Sequence, residues 1–294
     1  EEELPGAPRH YHLTDGGRDH IFVWGSGMGA DGPFPNWRRW VPNALFLMTE
    51  TELWNPYKDI ATPSYVPGKD IVIPGRLGLN DMMALRNLSR PLEERPYLGH
   101  FVGWPRPPHA SKGMRDCTDE RCDHNVRSLI LAEYSNREDM HVAVDVPYSE
   151  SFLGLVSSVF CFVPRGKSAW SSRFFQTFFA GCVPVVLNDE YEAPFGELMH
   201  LPSAMIKWPM AQARPPALGR YLERLLGEQP EAVERMRAAG GAARCWYAYP
   251  PSYIEWDWIQ LNRSKFNQTC ATWSTHSAFV AISRLLAAKA SSAR

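Results

Sequence analysis

The chain has 294 residues, enough for two lobes that each bury a core without help from disulfides or metals. Its 31 Lys and Arg against 32 Asp and Glu leave a net charge of -1, which excludes an overall field drawing it onto nucleic acid or an anionic membrane. An apolar fraction of 45% with 12% aromatic residues excludes a disordered chain. No run approaches the roughly 18 consecutive apolar residues of a membrane span. The opening Glu1-Glu2-Glu3-Leu4-Pro5 is the reverse of a basic leader, so the chain as given is expected to be soluble. Without an initiator Met, it is expected to be processed or cut from something longer.

The first twenty residues are polar and read as irregular. Ile21-Phe22-Val23-Trp24, bounded by Gly25, predicts a buried strand, and Ala44 to Met48 and Asp70 to Pro74 read the same way. The Pro- and Gly-rich connections between them leave little room for long helices. Arg86 to Arg95 is charged and carries a glycosylation sequon, which suits a link between lobes. We therefore divide the chain into an N-terminal lobe at 1–92 and a C-terminal lobe at 93–294, with the last helix returning to the first lobe.

Beyond residue 93 the pattern alternates. Strands are predicted at 98–102, 141–144, 159–163, 183–187 and 204–207, and helices at 125–134, 148–157 and 172–180. A helical stretch follows at 217–243, and a final amphipathic helix at 277–290. Apolar strands alternating with helices make an α/β protein with parallel sheets covered on both faces.

The stretch from Val159 to Phe195 carries the chemistry. It reads strand, loop, helix, Gly stop, strand, loop. In an open parallel sheet, ligands bind beyond the carboxyl ends of the strands. The loops 164–171 and 188–193 leave their strands at that same edge, so Arg165, Gly166, Ser171, Ser172, Arg173, Asp189 and Glu192 are placed to converge on one crevice. Ser171 or Ser172 caps the following helix, whose free N–H groups and positive dipole end suit an anion such as a diphosphate. Arg165 and Arg173 add guanidinium forks matched to phosphate oxygens. Asp189 and Glu192 suit ribose or sugar hydroxyls, and Tyr191 offers a ring for base or sugar packing.

This segment resembles the donor-binding region of the exostosin-like glycosyltransferases, family 47. The resemblance rests on Arg165-Gly166, Ser172-Arg173-Phe174, Ala180-Gly181-Cys182-Val183-Pro184-Val185-Val186, Asp189-Glu190-Tyr191 and Pro194-Phe195. Gly16-Gly17-Arg18-Asp19-His20 is similar to the family's acceptor-lobe motif, Asp70 to Pro74 to its next strand, and Phe101-Val102-Gly103 to the first strand and turn of its donor lobe. The resemblance covers about residues 11 to 210. It implies a GT-B architecture of two Rossmann-like lobes, inverting transfer from a UDP-sugar to a glycan or glycoprotein, no metal or other cofactor, and Gly103 in the donor site. Family members carry more βα units before the Gly-Gly-Arg-Asp-His motif, so the first lobe is expected to be incomplete. The general base is expected at Asp19 or His20, with a structural Asp–His pair or an Arg18–Asp19 salt bridge as the competing reading. The resemblance also implies a Golgi-type protein, the missing start and the sequons motivate the expectation of a type II anchor in a segment outside this chain, and a homo- or heterodimer is left open. Two alternatives stand beside the enzyme: a non-catalytic partner subunit of a glycosyltransferase complex, and a nucleotide-dependent lectin-like module.

Other signals weigh less. Gly27, Gly29 and Gly32 fit a dinucleotide fingerprint, but Pro33-Phe34-Pro35 follows where a helix must open, so a cleft loop is expected. Cys117 and Cys122 suit a small disulfide loop, and Cys161 and Cys182 are equally buried thiols or a disulfide. Sequons at Asn87, Asn262 and Asn267 point with them to the secretory lumen. Trp246, Trp256, Trp258 and Trp273 are expected to pack the terminal helices. His100, His109, His124 and His141 show no metal-ligand spacing.

Overall fold

The computed structural model describes residues 14–25, 37–51, 65–105, 123–165, 169–212, 216–249, 270 and 275–292. Within them lie two parallel sheets sharing one apolar core. The first sheet has β1 (Ile21–Trp24), β2 (Leu45–Met48) and β3 (Ile71–Val72) in that order. Gly16 and Gly17 make the turn into β1 with φ of 59° and 84°, and a Cβ on Gly16 would lie 3.0 Å from Pro42. Ahead of β2, the short helix α1 (Trp37–Trp40) sets Arg38 against Asp70, with Nη2 and Oδ2 2.5 Å apart. A buried ion pair needs further hydrogen bonds to offset its desolvation. Arg38 Nη1 donates to Ala44 O at 2.7 Å, and Asp70 accepts from the Phe46 and Val66 N–H groups at 3.0 and 2.7 Å. This pair ties β2 to the start of β3.

The second sheet comprises β4 (Tyr97–Val102), β5 (Met140–Ala143), β6 (Ser158–Pro164), β7 (Val183–Leu187) and β8 (Ile206–Lys207) in the order β5-β4-β6-β7-β8, all parallel. Successive side chains of β6 face opposite ways. Phe160 and Phe162 pack with residues of α3 (Asp123–Tyr134) and α6 (Ala217–Glu228), whereas Cys161 and Val163 pack with α4 (Tyr148–Val156) and α5 (Ser172–Ala180). The chain runs from β4 outward to β5, then returns to β6 on the other side. That reversal opens a crevice at the carboxyl ends of β4 and β6.

Three elements depart from the sequence expectation. β1, expected to be buried, leaves Ile21 and Val23 exposed, because one face of this strand is open among the described residues. A helix, α2 (Leu79–Leu88), lies beyond the third strand, where no element was assigned, and runs into the expected link at Arg86, burying Leu79, Met82, Met83 and Leu85 in the core shared with α5. The helical stretch 217–243 is two helices, α6 and α7 (Pro230–Ala243), because Gln229 leaves helical geometry at φ -139° and Pro230 cannot donate into the preceding turn. The last helix, α8 (Ala278–Ser292), reaches the first sheet's connections, where Lys289 Nζ donates to Gly68 O at 2.8 Å.

The link after α2 is fastened to the carboxyl end of α5. Ser89 Oγ and Arg95 Nη2 donate to Ala180 O at 2.9 and 2.7 Å, and Arg237 Nε donates to Gly181 O at 2.8 Å. Gly181 ends the helix at φ 68°. Cys161 and Cys182 are joined in a disulfide, as are Cys245 and Cys270. Cys117 and Cys122, the glycines at 27, 29 and 32, and Trp256, Trp258 and Trp273 lie outside the described residues. Trp246 packs against His276 and Arg284 of the C-terminal region.

Candidate functional site

At the crevice between β4 and β6, three arginines approach one another. Arg173 stands on the first turn of α5 and reaches back to β4, where Nη2 donates to Val102 O at 2.8 Å and Nη1 to His100 Nε2 at 3.0 Å. Burial pushes its pKa down to about 10, and neighbouring Arg127 adds to the shift. Both partners are neutral acceptors, so among the described residues the Arg173 charge meets no carboxylate. Arg127 of α3 donates through Nε to Arg165 O at 2.9 Å and through Nη1 to Trp104 O at 3.3 Å. Arg165, directly after β6, is 2% exposed and lies 3.9 Å from Glu190 through Nη1. Burial lowers its pKa, opposed by Glu190 and Glu50. The two expected arginines thus differ in kind: Arg165 is charge-compensated, and Arg173 is not.

Ser171 takes the N-cap position of α5 in extended conformation, and its hydroxyl makes no capping bond. Its carbonyl accepts from Phe174 N at 3.2 Å. Ser172 and Arg173 begin the helix with their N–H groups at its positive end. Gly103 follows β4 and spends its N–H on Ala143 O at 3.1 Å. Gly166 lies outside the described residues.

The acidic half of the expected site is engaged internally. Asp189 accepts from Met210 N at 3.1 Å. Glu192 accepts a short hydrogen bond from the Tyr65 hydroxyl, and its N–H donates to Thr51 Oγ1 at 3.3 Å. Tyr191 is 4% exposed, with its ring edge-on to Phe174 at 5.0 Å, so it presents no open face for a base or sugar. A loop residue's inward or outward direction is not encoded in its type, which is why Tyr191 read as a ligand platform.

The same contacts place the two sheets. Glu50 and Thr51 leave the carboxyl end of β2 and meet the loops leaving β6 and β7. Glu50 Oε1 accepts from Ala169 N at 3.1 Å, and Thr51 Oγ1 donates to Glu190 O at 3.1 Å. The carboxyl edges of the two sheets therefore face each other. Asp19 and His20 sit elsewhere, at the amino end of β1. There His20 Nδ1 and Asp19 Oδ1 are 2.7 Å apart and largely solvent-facing, while Arg18 pairs with Asp15 rather than Asp19. Four residues of strand, roughly 13 Å, separate that end from the carboxyl edge.

Sequence reasoning passed over Arg127, Glu50, Thr51 and Tyr65, and weighed His100 only as a metal ligand. The one available signal was a lone His inside the apolar run Tyr97 to Val102, matched by a second His inside 140–143. Register pairs these two residues, His100 and His141, side by side on β4 and β5.

A family model described as the Exostosin GT47 domain matches residues 7–223. The chain is 48% identical over 52 residues to "Exostosin-1 homolog" of Caenorhabditis elegans, covering 18% of this chain and 14% of that protein. It is 25% identical over 188 residues to a "Probable glycosyltransferase" of Arabidopsis thaliana, covering 62% and 33%. With a "Probable glucuronoxylan glucuronosyltransferase" of the same plant it shares 31% identity over 114 residues, covering 37% and 23%. The chain thus spans a third or less of the length of these relatives. Among solved structures, the catalytic domain of starch synthase IV from Arabidopsis thaliana, bound to ADP and acarbose, aligns with a TM-score of 0.36 at 8% identity, covering 85% of this chain and 55% of that chain.

Proposed function

The chain belongs to the exostosin family 47 of glycosyltransferases, and from that premise we propose that it transfers a sugar from a UDP-sugar to a glycan or glycoprotein acceptor with inversion at the anomeric carbon. Its two parallel α/β sheets, facing each other by their carboxyl edges, make a GT-B type fold. The observation that carries the proposal is Arg173: a guanidinium on the first turn of a helix, at the point where strand order reverses, bonded among the described residues only to neutral groups.

In this reading the donor diphosphate lies over the crevice, with Arg173 and the first N–H groups of α5 on its oxygens and Arg127 supplying field from behind, while Arg165 is compensated by Glu190. Charge builds on the leaving diphosphate as the glycosidic bond breaks, and fixed cations stabilise that charge without reorganising. No metal or other cofactor is assigned, since these groups take the leaving-group charge. A base must remove the acceptor hydroxyl proton. Asp19 and His20, the sequence candidates, stand at the far edge of the first sheet.

We place the protein in the Golgi lumen, anchored by a segment outside this chain. Two buried disulfides and an exposed Asn87 in the sequon Asn87-Leu88-Ser89 support an oxidising, glycosylating compartment. The second reading, a non-catalytic partner subunit, draws on the internal engagement of Asp189, Tyr191 and Glu192. Release of UDP from a panel of UDP-sugars, with and without glycan acceptors, separates the two. Turnover of one donor supports the enzyme. Tight UDP binding with no turnover of any donor supports the partner subunit.

A further inference from the structure

We propose that His100 is a positioning residue for the donor step: it aims the Arg173 guanidinium at the diphosphate, and it does so in one proton arrangement shared with His141. The inference rests on the reading of Arg173 as the diphosphate ligand.

A free arginine side chain carries considerable rotamer entropy. Arg173 is relieved of it by two acceptors on β4, Val102 O and His100 Nε2, which fix the plane of its fork. Arginine donates at every N–H and accepts at none. His100 Nε2 must therefore present a lone pair, which puts the His100 proton on Nδ1. That nitrogen is 3.1 Å from His141 Nδ1, which must in turn accept, so the His141 proton sits on Nε2. There it faces the Glu150 carboxylate, 3.9 Å away. Every donor in the chain Arg173, His100, His141 points the same way.

The surroundings hold this arrangement. Gly154 of α4 lies over the shared nitrogens, where a Cβ would come within 2.4 Å of His141 Nδ1 and 2.6 Å of His100 Nδ1. The link is closed to water by a residue with no side chain. His100 is fully buried, and burial, then Arg173, then His141 hold its pKa well below the usual histidine range. The other ionisable groups around it are Glu150 on α4, Tyr97 on β4, whose ring is tilted against His141, and Arg127 on α3. Tyr148, bonded to Asp81, also lies near Arg173. An imidazolium at His100 would turn a donor against Arg173 and set two cations together, releasing the fork.

A satisfied core histidine would look alike in its contacts, and the readouts must separate the two. Nitrogen-15 spectra of the histidine rings are expected to show His100 still protonated at Nδ1 and bare at Nε2 as pH falls from about 8 through the usual histidine value of about 6.5. UDP titration of His100→Leu is expected to give a Kd about tenfold higher, with kcat for transfer falling as well, because the fork serves the charge that builds on the leaving diphosphate. His100→Gln, which offers Arg173 a carbonyl and His141 an N–H, is expected to restore most of that loss. In an Arg173→Ala background, His100→Leu is expected to cost nothing further. A proton on His100 Nε2, or an undiminished UDP affinity in folded His100→Leu, overturns the proposal. So does a second full loss in the double variant. If Arg173→Ala itself leaves UDP binding intact, the donor reading falls and the positioning role with it, and the ring spectrum still reports whether His100 accepts from Arg173.

Discussion

Tyr65, ahead of β3, donates its hydroxyl to the carboxylate of Glu192 in the loop leaving β7, joining the two sheets across 127 residues of sequence. Together with Thr51 and Glu50, it sets how closely the two carboxyl edges approach. Tyr65→Phe keeps the ring and deletes the bond. Because the Glu192 carboxylate is exposed and regains water, we expect a stability loss of only about 1 kcal/mol. The measurable consequence is a more mobile Glu192 loop, read as faster amide exchange across residues 189–193 in the variant than in wild type. Unchanged exchange would show that the bond does not hold the lobes.

Buried phenols fix the alkaline limit. Burial raises the pKa values of Tyr65, Tyr191, Tyr247 and Tyr249, with Glu192 adding to the shift at Tyr65. A phenol raised in the folded state contributes stability that is full below the unfolded pKa of about 10 and falls as pH rises beyond it. The share of phenolate absorbance that these four rings contribute is therefore expected to appear cooperatively, together with loss of near-ultraviolet dichroism, rather than as a smooth titration near pH 10. At the acid end, His100 works in the opposite sense. Its lowered pKa contributes stability that is full above about 6.5 and is lost as pH falls. Gradual titration of all 11 tyrosines in a still-folded protein would contradict this burial.

The Cys161–Cys182 disulfide closes 21 residues of sequence between β6 and β7. In the chain-entropy account such a loop contributes about 3 kcal/mol. The paired substitution Cys161→Ala with Cys182→Ala is expected to lower the unfolding free energy by that order, read from the denaturant midpoint and slope. Equal midpoints for wild type with and without reductant would show that the bond is dispensable.

The Asp19–His20 pair is exposed at the amino end of β1. From that position we expect Asp19→Asn and His20→Gln to lower kcat by less than tenfold, against the factor of about 10² to 10⁴ for a general base. A loss in the larger range would move the acceptor to that edge and restore the base assignment.

What was readable in the sequence was local and periodic. The run from Val159 to Leu187 alternates apolar strands with a helix ended by Gly181, and strand, helix and turn appear in the structure with bounds shifted by a residue at most. Helix α2 was hidden because its apolar spacing, Leu79, Met82, Met83 and Leu85, is short and lies between a Pro- and Gly-rich approach and a polar link. Its burial comes from α5, a tertiary partner no local pattern announces. The site divides the same way. Arg173 at a helix start could be placed by topology alone. Its partner His100 lies 73 residues away in sequence, and the Tyr65 that engages Glu192 lies 127 away. These are pairings the fold creates, and spacing along the chain carries no trace of them.

The most direct test of the account is calorimetric titration of the wild-type protein and Arg173→Ala with UDP, GDP, CMP and ADP. Loss of a charged hydrogen-bonding partner is worth about 1.5 to 3 kcal/mol, roughly ten- to a hundredfold in Kd. The account predicts that UDP alone binds the wild type and that Arg173→Ala weakens it by at least that tenfold while remaining folded. Binding of UDP with equal affinity to both proteins, or no nucleotide binding by folded wild type, would contradict it.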